Sequence, residues 1–380
     1  MTLLDVSSER ATPPDRIGPA QRVLWYWPFA RPEDMAIAEA FAACGDELLV
    51  EVLDRDAAPP VGQHGAVRVT RDLPDVDRDT SRLLWPASRT ATYGRRAIQR
   101  RRTIAAFEPD LVHYHYLNRF TDRLAQPRCT WVASVHDVEP HQPRLGRFEQ
   151  RLLADLYHQP DGLVVHHRWL AERLTTSVGI DPSSIAVVPL PVFPVEAPSP
   201  RPISDRPMAL LFGALRPNKG IEWMIDMMRR PELADHRLHI AGRGDQAYQA
   251  SIAALADGQP NVTTELGYVT TQRKDELFRE ASVVVLPYET FSSQSAVLHD
   301  AYGHGRPVVV TDVGALGETV RHDHTGVVVG YRDDRCLADA VAAMSGVAGD
   351  VAATEARRVA SEQTPVRMAA LLRSAYDRFI

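Results

Sequence analysis

From residue 22 onward, short apolar runs alternate with longer segments in which apolar residues recur every three or four positions. That alternation predicts parallel α/β units rather than an all-helical or all-strand fold. In the first half the runs are VLWYW (23–27), LLVEVL (48–53), DLVHYHY (110–116), TWVASVH (130–136), GLVVHH (162–167) and IAVVPL (185–190). Six such strands make one doubly wound sheet. The stretch PLPVFPVEAPSPRPISDRP (189–207) can sustain neither a helix nor a central strand, because proline removes backbone donors and fixes φ. The pattern then restarts with MALLFGAL (208–215), RLHIAG (237–242), VTTEL (262–266), SVVVLPY (282–288), RPVVVTD (306–312) and TGVVVG (325–330). A second sheet of the same kind is expected.

The expected organisation is therefore a tail at 1–20, an N-terminal Rossmann-like domain at 21–190, a proline-rich connector at 191–207, a C-terminal Rossmann-like domain at 208–362 and a terminal helix at 363–380. In that helix Met368, Leu371, Leu372, Ala375 and Phe379 fall at helical spacing after Thr364 and Pro365. Two doubly wound parallel sheets are expected to face a central cleft, with ligands at the carboxyl ends of the strands.

Composition narrows the choice of partners. The 380 residues are 44% hydrophobic and 24% charged, enough for two cores, and the net charge of −6 gives no general attraction to nucleic acid. Cys44, Cys129 and Cys336 are too scattered for a disulfide framework or a thiolate metal site, which suggests a reducing cytoplasm. The N-terminus lacks the apolar core of a secretory signal, and no apolar run of about 18 residues is present to span a bilayer. In YGRRAIQRRR, Arg95, Arg96, Arg100, Arg101 and Arg102 either rest on an anionic membrane surface, receive a phosphate-bearing acceptor or form a solvated helix face.

Candidate chemistry lies at the strand ends. No G-x-G-x-x-G follows the first strand and no P-loop is present, which disfavours dinucleotide dehydrogenases and P-loop enzymes. In LLFGALRPNKGIEWMI (210–225), Gly213 permits close backbone approach, while Arg216 and Lys219 place two cations just ahead of a helix whose Ile221, Met224, Ile225 and Met228 face the core. The group reads as a clamp for a departing diphosphate, or else as a solvated turn. His136 and Asp137 end another strand, either as a cleft-facing base with its orienting carboxylate or as a buried structural pair. His113 and His115 share one strand face without an evident third ligand, so no metal site is expected. Trp25, Trp27 and Phe29 either stack on a sugar or apolar aglycone or fill the core.

Several ordered segments resemble the retaining glycosyltransferases of family 4, which have the two-domain GT-B fold. FGALRPNKGIEWMI is similar to their G-x-x-x-x-K-G element, and IAVVPLPV to the strand before their interdomain connector. LHIAGRGD resembles their strand ending in a glycine turn at Gly242, and QSAVLHDAYGHGRPVVVTDVGALGETVRHDHTGVVV their most diagnostic run. The resemblance spans about 187–330 well and the first half by layout.

It implies a metal-independent enzyme without a cofactor that moves a hexosyl unit, with retention, from a nucleotide-diphosphate sugar to a hydroxyl acceptor. Arg216 and Lys219 would hold the diphosphate, the amides of Ser295, Ala296 and Val297 its oxygens, and Asp300 the ribose hydroxyls. The last position is glutamate in the family. The partner glutamate eight residues earlier falls on Ser292, leaving Glu289 as a substitute out of register. His136 would serve the reaction centre, with Trp27, His115 and Asp137 as acceptor or sugar contacts. A sugar-nucleotide epimerase, a glycoside phosphorylase and a non-catalytic partner subunit of a glycan assembly remain as alternatives.

Overall fold

A computed structural model describes residues 20–53, 58–72, 85–118, 121–138, 147–193, 195, 206–291 and 295–380, with backbone alone at 85–90 and 147–149. Most of the expected tail, Ser292 and the connector residues 196–205 lie outside the described residues. The chain forms two compact units, one built from Met1–Leu190 with Pro365–Ile380 and the other from Pro191–Thr364.

The first unit contains β1 (Arg22–Tyr26), β2 (Glu47–Leu53), β3 (Gly62–His64), β4 (Val67–Asp72), β5 (Leu111–Tyr114), β6 (Thr130–Ser134), β7 (Gly162–Val165) and β8 (Ile185–Val187). They run in the order β3-β4-β2-β1-β5-β6-β7-β8, parallel except for β3. The six-strand expectation is corrected to eight. VRVTRD alternates buried valines with exposed or half-buried polar residues, as befits a strand near the sheet edge, and so lacks the continuous apolar run of a strand covered on both faces.

The second unit contains β9 (Met208–Phe212), β10 (Arg237–Gly242), β11 (Val262–Leu266), β12 (Val283–Leu286), β13 (Val308–Thr311) and β14 (Gly326–Val329), all parallel, in the order β11-β10-β9-β12-β13-β14. Alternate residues feed opposite faces: Leu211, Ile240, Val285 and Val309 enter one core, Leu210, Ala241, Val284 and Val310 the other. Burial on both faces explains why these strands read as uninterrupted apolar runs. Among the described residues no single helix is long and apolar enough to cross a membrane.

The terminal helix Pro365–Phe379 packs on the helix Met35–Ala42 of the first unit, with Tyr376 against Phe41 at 5.5 Å between ring centroids and Arg373 paired with the buried Asp46.

The arginine run needs a second correction. Arg96 and Arg100 point inward from the helix Trp85–Phe107, four residues apart on one face, and both are buried. Arg100 pairs with Asp122 and lies 3.7 Å from Asp72, its guanidinium over the Tyr26 ring at 4.6 Å. Only Arg95, Arg101 and Arg102 of the five are exposed.

Beside this network, burial and the nearby Asp72 carboxylate push the Glu51 carboxyl up from 4.5 to about 7. The folded chain therefore keeps a proton that the unfolded chain releases. The stabilisation this brings is complete below pH 4.5 and is lost as pH rises through about 7. Glu51→Gln, neutral throughout, is expected to remove that loss, on the order of 3 kcal/mol, from urea-unfolding curves measured between pH 4.5 and 7.5; identical curves for both proteins would disprove it.

Candidate functional site

In the second unit the order in which successive strands join the sheet reverses between β9 and β12, and the carboxyl ends at such a switch point are where ligands of doubly wound sheets bind. The glycines there are obligatory. Gly213 has φ 113° and Gly242 φ 145°, and a Cβ on Gly242 would lie 1.8 Å from the Gly213 carbonyl oxygen. Arg216 is extended and exposed, followed by a single turn, Pro217–Lys219. Gly220 (φ 65°) then reverses the chain into the helix Ile221–Met227, so one left-handed residue separates Lys219 from the helix. Ile221, Met224, Ile225 and Met228 are buried.

The turn is tied to the loop after β12. Asn218 Nδ2 donates to the Thr290 carbonyl at 2.9 Å, and the Glu289 amide donates to the Asn218 carbonyl at 2.9 Å. These bonds set the Lys219 ammonium over the Tyr288 ring at 3.5 Å and the Phe291 ring at 4.4 Å. Burial, then the Arg216 charge, lowers the Lys219 amine from 10.5 to about 7. The ring faces attract the charged form, by about 0.5–2 kcal/mol in such contacts. A cation held partly out of water at a strand end interacts strongly with an incoming anion, because little solvent screens it.

Tyr288 is fixed in turn. Its hydroxyl shares a hydrogen bond with Ser295 Oγ (3.2 Å), and its carbonyl accepts from Thr311 Oγ1 (2.6 Å). Ser295 is buried and opens the helix Ala296–Gly303 without capping it through its side chain. Val297 on the first turn faces Gly213, and Asp300, three residues on, shares that side of the helix. Asp300 Oδ1 accepts from Lys274 Nζ at 2.9 Å, Lys274 coming from the helix Thr271–Glu280. Glu289 is exposed beside the aromatic floor. The structure thus gathers Gly213, Gly242, Lys219, Ser295 and Val297 around one switch point. Tyr288, Phe291 and Lys274 were missed from sequence; the aromatic pair straight after VVVLP was the available signal.

The first unit has its own switch point, between β1 and β5. Trp27, leaving β1, stacks on His115, leaving β5, at 4.3 Å and 8°. Phe29 meets Tyr116 edge to face at 5.0 Å, and Tyr116 stacks on His136 at 4.1 Å. His136 Nε2 lies 2.8 Å from the His115 carbonyl. A carbonyl only accepts, so the proton sits on Nε2 and Nδ1 is left as an acceptor. Burial lowers the His136 imidazole below its ordinary value, keeping it neutral. Asp137 is half-buried, and its carbonyl accepts from the Tyr157 hydroxyl at 2.6 Å.

Three other histidines of the first unit are held structurally. His113 bonds the Tyr376 hydroxyl at 2.5 Å and Ser134 Oγ at 2.9 Å, and burial takes it down to about 3. His166 donates from Nδ1 to the Val188 carbonyl at 2.9 Å, and His167 caps the helix Arg168–Arg173. No three His, Cys, Asp or Glu side chains among the described residues are grouped to hold a metal ion.

The family model described as "Glycosyl transferases group 1" matches residues 206–345, and that described as "Glycosyltransferase Family 4" matches residues 35–194. Between them they take in most of both units. The chain belongs to the group 1, family 4 glycosyltransferases. It is 29% identical over 236 residues to a D-inositol 3-phosphate glycosyltransferase of Pseudarthrobacter chlorophenolicus, an alignment covering 58% of this chain and 54% of that one. The alignments span from 32% to 54% of the first curated relatives it matches.

Solved structures share the fold at lower identity. This glycosyltransferase superposes on the sucrose-phosphate synthase of Thermosynechococcus elongatus with a TM-score of 0.74, at 18% identity over 94% of this chain and 98% of that one. An Anabaena protein solved in complex with UDP gives 0.67, at 14% identity over 94% and 99%. The two parallel α/β sheets are those of the GT-B class.

Proposed function

We propose that this glycosyltransferase moves a hexosyl residue, with retention and without a metal ion, from a nucleotide-diphosphate sugar to a hydroxyl acceptor. The observation that carries this reading is Lys219, seated over Tyr288 and Phe291 at the β9/β12 switch point with Arg216 three residues before it. As the bond from the anomeric carbon to phosphate breaks, its electron pair passes to the diphosphate. Arg216, Lys219 and the amides of Ser295, Ala296 and Val297 stabilise that charge. The acceptor oxygen bonds to the anomeric carbon from the side the diphosphate leaves, and its proton passes to a departing phosphate oxygen.

Asp300, kept in place by Lys274, takes a ribose hydroxyl, and Glu289 stands in for the sugar-side carboxylate of the family. The strand ends of the first unit, with His136, Asp137, Trp27 and His115, serve the acceptor. The exposed Arg95, Arg101 and Arg102, with Ile98 on the same helix, offer a face to anionic lipid headgroups. The three cysteines are free, in keeping with a reducing compartment.

The Anabaena protein's complex makes UDP the first probe. Calorimetric titration with UDP, GDP, ADP and TDP in EDTA is expected to show one diphosphate binding at micromolar strength. Binding by none of the four, or only after added Mg²⁺, would overturn the reading.

A further inference from the structure

We infer that Phe29 and Tyr116, at the carboxyl edge of β1 and β5, form a stacking platform for the ring of an uncharged polyhydroxylated acceptor, a sugar or a cyclitol. The inference deepens the proposed function, on which it rests, by naming the acceptor class. The two rings are 48% and 38% exposed, the exposed Phe, Tyr or Trp side chains among the described residues of the first unit, and they stand 5.0 Å apart at its switch point. Tyr116 lies with its ring stacked on His136 at 4.1 Å. Two exposed rings meeting edge to face at a strand end suit a ligand that presents a patch of C–H bonds, because they offer it apolar area to cover.

The surrounding charge distinguishes among polyols. Besides burial, the Asp137 and Asp34 carboxylates raise the Tyr116 phenol and the Arg31 charge lowers it. Arg31 is engaged by Glu33 at 3.2 Å and Asp34 at 3.1 Å. Among the described residues the rim therefore carries more carboxylate than cation. Carboxylates accept hydrogen bonds from hydroxyl groups and repel phosphate. A neutral ring with several hydroxyls meets both conditions; a phosphorylated one meets only the first.

The test is saturation-transfer NMR on the full chain, with and without UDP, using methyl α-glucoside, methyl α-mannoside, methyl β-galactoside, myo-inositol and myo-inositol 1-phosphate as probes. At least one neutral ring is expected to receive saturation, concentrated on the protons of one ring face. Phe29→Ala and Tyr116→Ala should each weaken that binding by about two- to tenfold, and Tyr116→Phe, which keeps the ring and guards against misfolding, should retain it. Saturation of the inositol phosphate alone, of no probe, or of a neutral ring equally in parent and both alanine variants would overturn the inference. Calorimetry with the nucleoside diphosphates on the same samples separates the readings. In the parent protein, absence of neutral-ring binding with diphosphate binding intact refutes the platform alone, and absent diphosphate binding refutes the donor site.

Discussion

Lys219→Ala is expected to weaken binding of the preferred nucleoside diphosphate by about 10- to 150-fold, the equivalent of one charge-assisted hydrogen bond of about 1.5–3 kcal/mol. The ammonium lies over two aromatic rings, which attract it without accepting a full hydrogen bond, so a phosphate oxygen adds one. Its lowered pKa adds a pH signature. In the free protein the amine titrates near 7, whereas a bound diphosphate raises its affinity for the proton. Above pH 7 binding takes up a proton, so the dissociation constant should grow as pH rises, by up to about tenfold per unit. Lys219→Arg, protonated throughout, should bind with little pH dependence in the same range. Titrations at pH 6.5, 7.5 and 8.5 decide the matter: the same slope in the arginine variant would assign the proton to another group, and an alanine variant that binds like the parent would remove Lys219 from the site.

Asp122→Ala is expected to lower the stability of the first unit by about 3–5 kcal/mol. Asp122 is wholly buried, pairs with the 5%-exposed Arg100 and accepts the Asn118 amide at 2.5 Å. Removing it leaves a guanidinium in a low-dielectric interior over the stacked Tyr26 and Tyr114 rings, with Asp72 at 3.7 Å and the nearby Glu51 carboxyl. Urea unfolding followed by circular dichroism measures the loss. Arg100→Met combined with Asp122→Leu, which removes both charges, should be markedly less damaging than Asp122→Ala. A loss below about 1 kcal/mol in the single variant would mean that Asp72 replaces Asp122 as the partner of Arg100.

The place of Arg100 is decided by folding rather than by its neighbours in the chain. YGRRAIQRRR looks like one cationic surface, yet a helix turns residues 96 and 100 toward the sheet while 95, 101 and 102 remain outside. Which face is covered depends on what packs against it, and Asp72 and Asp122 lie far from Arg100 in the chain. Lys274 and Asp300 meet for the same kind of reason, through two helices that the sheet order sets side by side.

The second sheet and the turn that follows its first strand were legible because each is imposed locally. Strands covered on both faces need unbroken apolar runs, and VVVL or VVVT can do little else. A strand end with φ 113° or 145° needs glycine, so Gly213 and Gly242 announce themselves. The sequence by itself thus determined the α/β class, the six strands of the second unit and the place of Arg216 and Lys219. Tertiary structure alone decided that β3 and β4 complete the first sheet, that Lys219 rests on Tyr288 and Phe291, and that Tyr116 covers His136. The physical reason is range: backbone conformation and strand burial act through neighbours in the chain, whereas ion pairs, ring stacks and pKa values depend on groups brought together only by folding.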